Sequence, residues 1–170
     1  MSRAFHTACN GRMGPVVVVR PEDVRRDRSA VTDVPMRRSL NSEPSSKDLI
    51  AFSKMVGESK RPLLIAGGRN WDPEARAALH QFSRHWKLPV AAAWRYHDVF
   101  DHGDENYVGD VGIGMNPELE GALQASDLVI ALGIRLGEMT TKGYSRLQPP
   151  VPAQKLIHIF QSPEELGRVF

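Results

Sequence analysis

The chain has 170 residues, enough for one domain with a real core and a short extra segment. Its 22 Lys and Arg against 20 Asp and Glu leave a formal net charge of only +2, too weak a basic balance to argue for nucleic acid. No apolar run approaches the ~20 residues that cross a bilayer, and the N-terminus has no signal-peptide core, so no membrane partner is expected. Cys9 is the only cysteine, which excludes an internal disulfide and points to a reducing, cytoplasmic setting.

Met1 to Asn10 has no clear start signal, although Phe5 and Ala8 fit one helical face. Gly11-Arg12-Met13-Gly14-Pro15 reads as a turn. Val16 to Val19 is a β-branched run that suits a buried strand. Arg20-Pro21-Glu22-Asp23 stops it. From Arg25 to Ser46 the chain is polar and broken by Pro35 and Pro44, the composition of a linker.

The pattern then becomes regular. Ser46 is placed to cap a helix whose apolar face is Leu49, Phe52, Ser53 and Val56, with Ile50 beside it. Leu63 to Ala66 is a short strand ended by Gly67-Gly68. Asp72-Pro73-Glu74 carries an N-cap, a proline at the first helical position and an acid in the first turn. The helix it opens has Ala75, Ala78, Leu79, Phe82 and Trp86 on its inner face. Leu88 to Ala93 is the next strand, followed by a long loop from Trp94 to Met115. Asn116-Pro117-Glu118 repeats the helix start, with Leu119, Ala122 and Leu123 facing inward. Asp127 to Gly133 is a strand of buried type. A second long loop runs from Ile134 to Ala153, and Lys155 to Phe160 is a further strand. Ser162 and Glu165 have capping-box spacing for a last helix.

Strands apolar throughout are buried on both faces, and helices between them imply parallel crossovers. The expected fold is therefore α/β: a Rossmann-like, doubly wound parallel sheet in three layers. Ligands of such sheets bind beyond the carboxyl ends of the strands, here Gly67-Gly68, Trp94-Arg95, Gly133-Ile134-Arg135 and Phe160-Gln161. Neither end of the chain reads as finished, which suggests part of a longer protein.

Arg61-Pro-Leu-Leu-Ile-Ala-Gly-Gly68, Leu88-Pro-Val90, Asn106-Tyr-Val-Gly109 and Ser126-Asp-Leu-Val-Ile-Ala-Leu-Gly133 follow one another in a recognisable order. Arg135 to Tyr144, Gln154 to Ile159 and Pro163 to Arg168 continue it. Together they resemble the central domain of thiamine-diphosphate-dependent enzymes of the acetolactate-synthase type. Gly11 to Val24 resembles the close of the pyrimidine-binding domain that precedes it. The resemblance implies a remnant of that domain at 1–28, a linker at 29–45, and a central domain of the DHS-like NAD/FAD-binding type at 46–170, cut short at its C-terminus. It implies flanking pyrimidine-binding and diphosphate-binding domains as partners, a homo-oligomeric parent enzyme, and thiamine diphosphate with magnesium in that parent. The parent chemistry would make or break a carbon–carbon bond next to a carbonyl, as a transferase, lyase or decarboxylase. The family's activating glutamate and its Gly-Asp-Gly…Asn motif fall outside this chain. The nearest local match, Gly109-Asp110-Val111-Gly112, lacks the last glycine and has no Asn after Asn116. No cofactor is therefore expected in this chain, which lacks the catalytic domains.

Gly67-Gly68 would let backbone amides approach a phosphate near a helix N-terminus, and the resemblance implies that an arginine at Arg135 contacts the phosphates or flavin in relatives that hold flavin or an adenine nucleotide in this domain. Taken as residues alone, Gly67-Gly68 equally suits a tight turn, and Arg135 a salt bridge. Phe160 stands where many relatives carry an acid, and cannot accept a ribose hydroxyl. A vestigial nucleotide site at Gly67, Gly68 and Arg135 is the reading favoured, with FAD, ADP or coenzyme A binding by a free-standing module as the alternative. His97 to Glu105 collects imidazoles and carboxylates that suggest a metal or a small independent enzyme, though a loop gives their spacing no framework. Trp94-Arg95-Tyr96 suits either a stacking pocket or an anchor for the long loop.

Overall fold

The computed structural model describes residues 2–11, 13–32, 34, 43–69 and 71–170. About half of the expected linker, residues 33 and 35–42, lies outside them, as does Arg12 of the expected turn. The chain forms two compact units, Met1–Glu43 and Pro44–Phe170.

The first unit holds two short helices, α1 (Ser2–Cys9) and α2 (Glu22–Arg26), neither with a buried residue. Arg26 and Glu22 form an exposed ion pair one turn apart on α2. Val16 to Val19, expected as a buried strand, joins no sheet; Val17 and Val19 are 85% and 87% exposed. A β-branched run becomes a strand only where a neighbour accepts its hydrogen bonds, and no described residue of the unit does so.

The second unit holds the sheet. Its strands are β1 (Pro62–Ala66), β2 (Val90–Ala93), β3 (Tyr107–Val111), β4 (Leu128–Leu132) and β5 (Lys155–Ile159). They are all parallel, in the order β3-β2-β1-β4-β5. Alternation splits β1 between two cores: Leu63 and Ile65 face one side, Leu64 and Ala66 the other. Helices α3 (Ser46–Glu58) and α4 (Pro73–Trp86) cover the Leu64 side through Val56 and Leu79. Helix α5 (Pro117–Ala125) covers the opposite side through Leu119 and Leu123. Helices on both faces of a parallel sheet give the expected three-layer α/β arrangement.

The caps explain where the helices begin. Asp72 accepts the Ala75 N–H at 2.7 Å and Asn116 accepts the Glu118 N–H at 2.8 Å, as their Asp-Pro-Glu and Asn-Pro-Glu patterns predict. The cap of α3 is Ser45 rather than Ser46: its hydroxyl takes the Asp48 N–H at 3.2 Å while the Asp48 carboxylate takes the Ser45 N–H at 3.2 Å. That capping box needs its partners three positions apart, and of the two serines only Ser45 stands three before an acid, Asp48. The buried face of α3 turns accordingly: Phe52, Met55 and Val56 pack inward, while Leu49 and Ile50 are 51% and 71% exposed.

Three further parts of the second unit depart from expectation. Strand β3 lies inside what reads as the Trp94–Met115 loop; Gly109 and Asp110 are poor strand formers, and only pairing with β2 makes it a strand. A one-turn helix α6 (Glu138–Thr141) interrupts the second long loop. Ser162 does not form the expected capping box. Its hydroxyl donates to Glu164, the turn Pro163–Glu165 is 3-10, and Glu165 is taken by Arg135 instead.

Candidate functional site

The strand order reverses between β1 and β4, so the crevice where doubly wound sheets bind ligands lies beyond their carboxyl ends. Gly67-Gly68 and Gly133 occupy it. The sheet ladder continues into both loops: Gly67 N–H donates to Leu132 O at 3.1 Å and Gly133 N–H to Ile159 O at 2.9 Å. Gly68 and Gly133 have φ of +86° and +72°. A Cβ on Gly68 would sit 2.0 Å from the Gly133 carbonyl oxygen, and one on Gly133 would sit 2.4 Å from the Gly67 carbonyl oxygen. The two loops therefore cross backbone against backbone, which only glycines permit. A Cβ on Gly67 would also meet Ile134 at 2.6 Å and Ala93 at 2.9 Å. The Gly67 carbonyl accepts the Trp71 indole N–H at 2.8 Å.

Arg135 lies next to this crossing. Its Nε donates to Glu165 Oε1 at 2.7 Å, and Arg168 approaches the other oxygen of Glu165 at 3.9 Å. Glu165 is 10% exposed at its side chain and Arg135 42%. His158 Nε2 lies 2.8 Å from Ile134 O, an acceptor, so its Nε2 carries the proton. Phe160, tilted against His158, offers no acceptor at the end of β5. Gly67, Gly68 and Arg135 are thus brought to one edge, with the glycines in loop packing and the arginine in an ion pair.

The residues from His97 to Glu105 disperse rather than converge. Among the described residues no group of three His, Cys, Asp or Glu is placed to hold a metal ion. His97 Nδ1 sits 2.9 Å from Asp110 Oδ1, and the Tyr107 hydroxyl donates to the same oxygen at 2.8 Å. Burial, and then the Asp110 carboxylate, push the Tyr107 phenol well above its ordinary range. His102 stacks on Tyr107 with ring centroids 4.3 Å apart. Asp98 pairs with Arg76 at 2.6 Å, which holds its carboxyl below the usual range. Asp104 is buried, takes the Asn106 N–H at 2.9 Å and meets His80 and Arg84. These contacts hold its carboxyl low, the Asn106 bond most of all. Each group anchors the β2–β3 connection to α4 or to β3. Trp94 packs against Gly112, where an added Cβ would lie 2.8 Å from its own, and so serves as an anchor too.

Gly109-Asp110-Val111 lies within β3, and Asp110 is spent on Tyr107 and His97. That segment does not fit a metal–diphosphate loop.

Sequence reasoning missed Arg146, which is 7% exposed. Its Nη1 donates to Gly112 O at 3.0 Å and Thr140 O at 3.3 Å, and its Nε to Glu120 at 3.3 Å. It ties α5, α6 and the loop after β3 together. Nothing in a polar loop sequence marks one arginine as buried.

The fold and this edge define a doubly wound α/β domain built on a five-stranded, all-parallel sheet. The chain belongs to a particular family of them: the model "Thiamine pyrophosphate enzyme, central domain" matches residues 50–170. It is 31% identical to the acetolactate synthase large subunit of Corynebacterium glutamicum over 99% of this chain and 27% of that protein. It is 28% identical to the acetolactate synthase large subunit of Haemophilus influenzae over 99% and 30%. A solved Mycobacterium smegmatis protein, described as a thiamin diphosphate-dependent enzyme, shares the fold with a TM-score of 0.68 at 23% identity. That match covers 99% of this chain and 32% of the solved one. The chain thus spans about a quarter to a third of the length of these relatives. These matches are to parts of larger enzymes and do not support a free-standing nucleotide-binding module.

Proposed function

We propose that the chain serves as the central scaffold of a thiamine-diphosphate-dependent enzyme that makes or breaks carbon–carbon bonds next to a carbonyl, as acetolactate synthases do. The match of residues 50–170 to the central-domain family carries this reading. Its role is to hold flanking pyrimidine-binding and diphosphate-binding domains in a homo-oligomeric, cytoplasmic parent that binds thiamine diphosphate and magnesium elsewhere. Gly67, Gly68 and Arg135 mark a vestigial nucleotide site. The backbone crossing at Gly68 and Gly133, the Arg135–Glu165 pair and the apolar Phe160 support loss of nucleotide binding there.

Thermal unfolding of the chain with thiamine diphosphate and Mg²⁺, or with FAD, ADP or coenzyme A, tests this. A ligand at ~100 times its dissociation constant adds about 2.7 kcal/mol. At about 2–4 °C per kcal/mol in a chain of this size, the midpoint would rise roughly 5–11 °C. No rise with any of the four is expected. A rise with FAD, ADP or coenzyme A would make the nucleotide site a working one, and a rise with thiamine diphosphate would overturn its assignment to other domains.

A further inference from the structure

The opposite edge of the sheet, at the amino ends of the strands, carries a groove of about 580 Å³ between α5, β1, β3 and the turn that precedes β2. Pro62, Leu63, Pro89, Val108, Leu119 and Ala122 make it apolar, and Lys60, Arg61 and Lys87 stand on it as cations. Glu118 is the one carboxylate among its lining residues. The three cations come from two separate turns, α3 to β1 and α4 to β2. None forms an ion pair with a described residue.

Both turns are fixed. Asp127 accepts the Lys60 N–H at 2.8 Å and the Arg61 N–H at 3.0 Å, which ties that turn to the start of β4. Lys87 caps α4 in the left-handed region, with φ of +50°. Glycine would sit there without strain, yet the position carries a cation. Basic residues at helix ends also offset the helix dipole, but that role needs no apolar floor between them. A volume of this size is typical of small-molecule sites, which are mostly apolar with a few converging polar groups.

We propose that this groove binds a small molecule with a flat apolar body and an anionic head, the body on Pro62, Pro89 and Val108 and the head between Lys60, Arg61 and Lys87. The site is separate from the carboxyl edge and does not depend on what the parent enzyme catalyses.

The probe is 1-naphthyl phosphate, titrated into the whole isotope-labelled chain while amide resonances are followed. Saturable shifts centred on Lys60, Lys87, Val108 and Ala122 are expected. Neutral 1-naphthol and inorganic phosphate should each bind more weakly, because each lacks half of the recognised chemistry. Lys60→Gln, Arg61→Gln and Lys87→Gly should each weaken binding roughly two- to fivefold, as exposed charge pairs do, and together about tenfold or more. Lys87→Gly removes backbone strain, so it also serves as the variant that must fold, and Lys155→Gln on β5 should change nothing. Absence of saturable shifts, shifts centred instead on Gly67, Gly68 and Arg135, equal binding of inorganic phosphate, or unchanged affinity in a triple variant with a native spectrum would each overturn the proposal.

Discussion

Gly68→Ala tests whether the carboxyl edge is closed by backbone packing. Two penalties act on it. A side chain at φ of +86° carries the left-handed cost of about 1–2 kcal/mol. The new Cβ would also lie 2.0 Å from the Gly133 carbonyl oxygen, an atom of rigid backbone. Ordinary contact begins near 3.4 Å, so the loops must part by more than an ångström. Forced repacking of that kind costs about 1–3 kcal/mol. The sum is about 2–5 kcal/mol, or a midpoint lowered on the order of 4–20 °C. Gly114→Ala isolates the first penalty: its φ is +75° and nothing lies within 4 Å of the added Cβ. It should cost only about 1–2 kcal/mol. Thermal unfolding of the two variants side by side is the assay. Equal losses would mean that the loops are not in contact at Gly68 and Gly133, and that the crevice is open to a ligand after all.

Three further outcomes follow from the packing. Asp127 accepts hydrogen bonds from Ser59, Lys60 and Arg61, the Ser59 hydroxyl most strongly, and its pKa falls from 3.8 to about 2. Its stabilising contribution is therefore present above pH 4 and lost as pH falls from about 4 towards 2. Asp127→Asn should be less stable than the parent at pH 6, with the gap closing through that window in unfolding midpoints; a gap constant with pH would refute the assignment. Arg146→Met keeps volume but leaves the Gly112 and Thr140 carbonyls without their donor, and should cost about 1–3 kcal/mol, read as a lower urea midpoint at unchanged slope. An unchanged midpoint would show that the buried charge contributes no net stability. Amides of Val17 and Val18 should exchange with solvent rapidly, since neither is paired with a described residue; strong protection in a monomer would mean that they pair within the chain.

The sequence alone carried the layered fold. Unbroken apolar strands such as Leu128 to Leu132 can be buried only in a two-sided parallel sheet, and Asp72-Pro73 and Asn116-Pro117 announce their helices by caps that act within four residues. These are local signals, which a linear reading can see. The family was legible for the same reason: its matching segments keep their order and spacing along the chain, which a linear reading follows without knowing how the strands are arranged in the sheet. Tertiary structure decided the rest. Strand β3 exists because β2 supplies its hydrogen bonds, and Val16 to Val19, with better strand residues, has no such partner among the described residues. Ser162 and Glu165 had the spacing of a cap, but Arg135, 30 residues away in the chain, claims the glutamate at 2.7 Å. Gly67-Gly68 looked alike as a phosphate turn or a packing turn. The approach of Gly133, which no local pattern records, shows that packing alone already requires glycine at the crossing, and a long-range contact of that kind arises only once the sheet has formed.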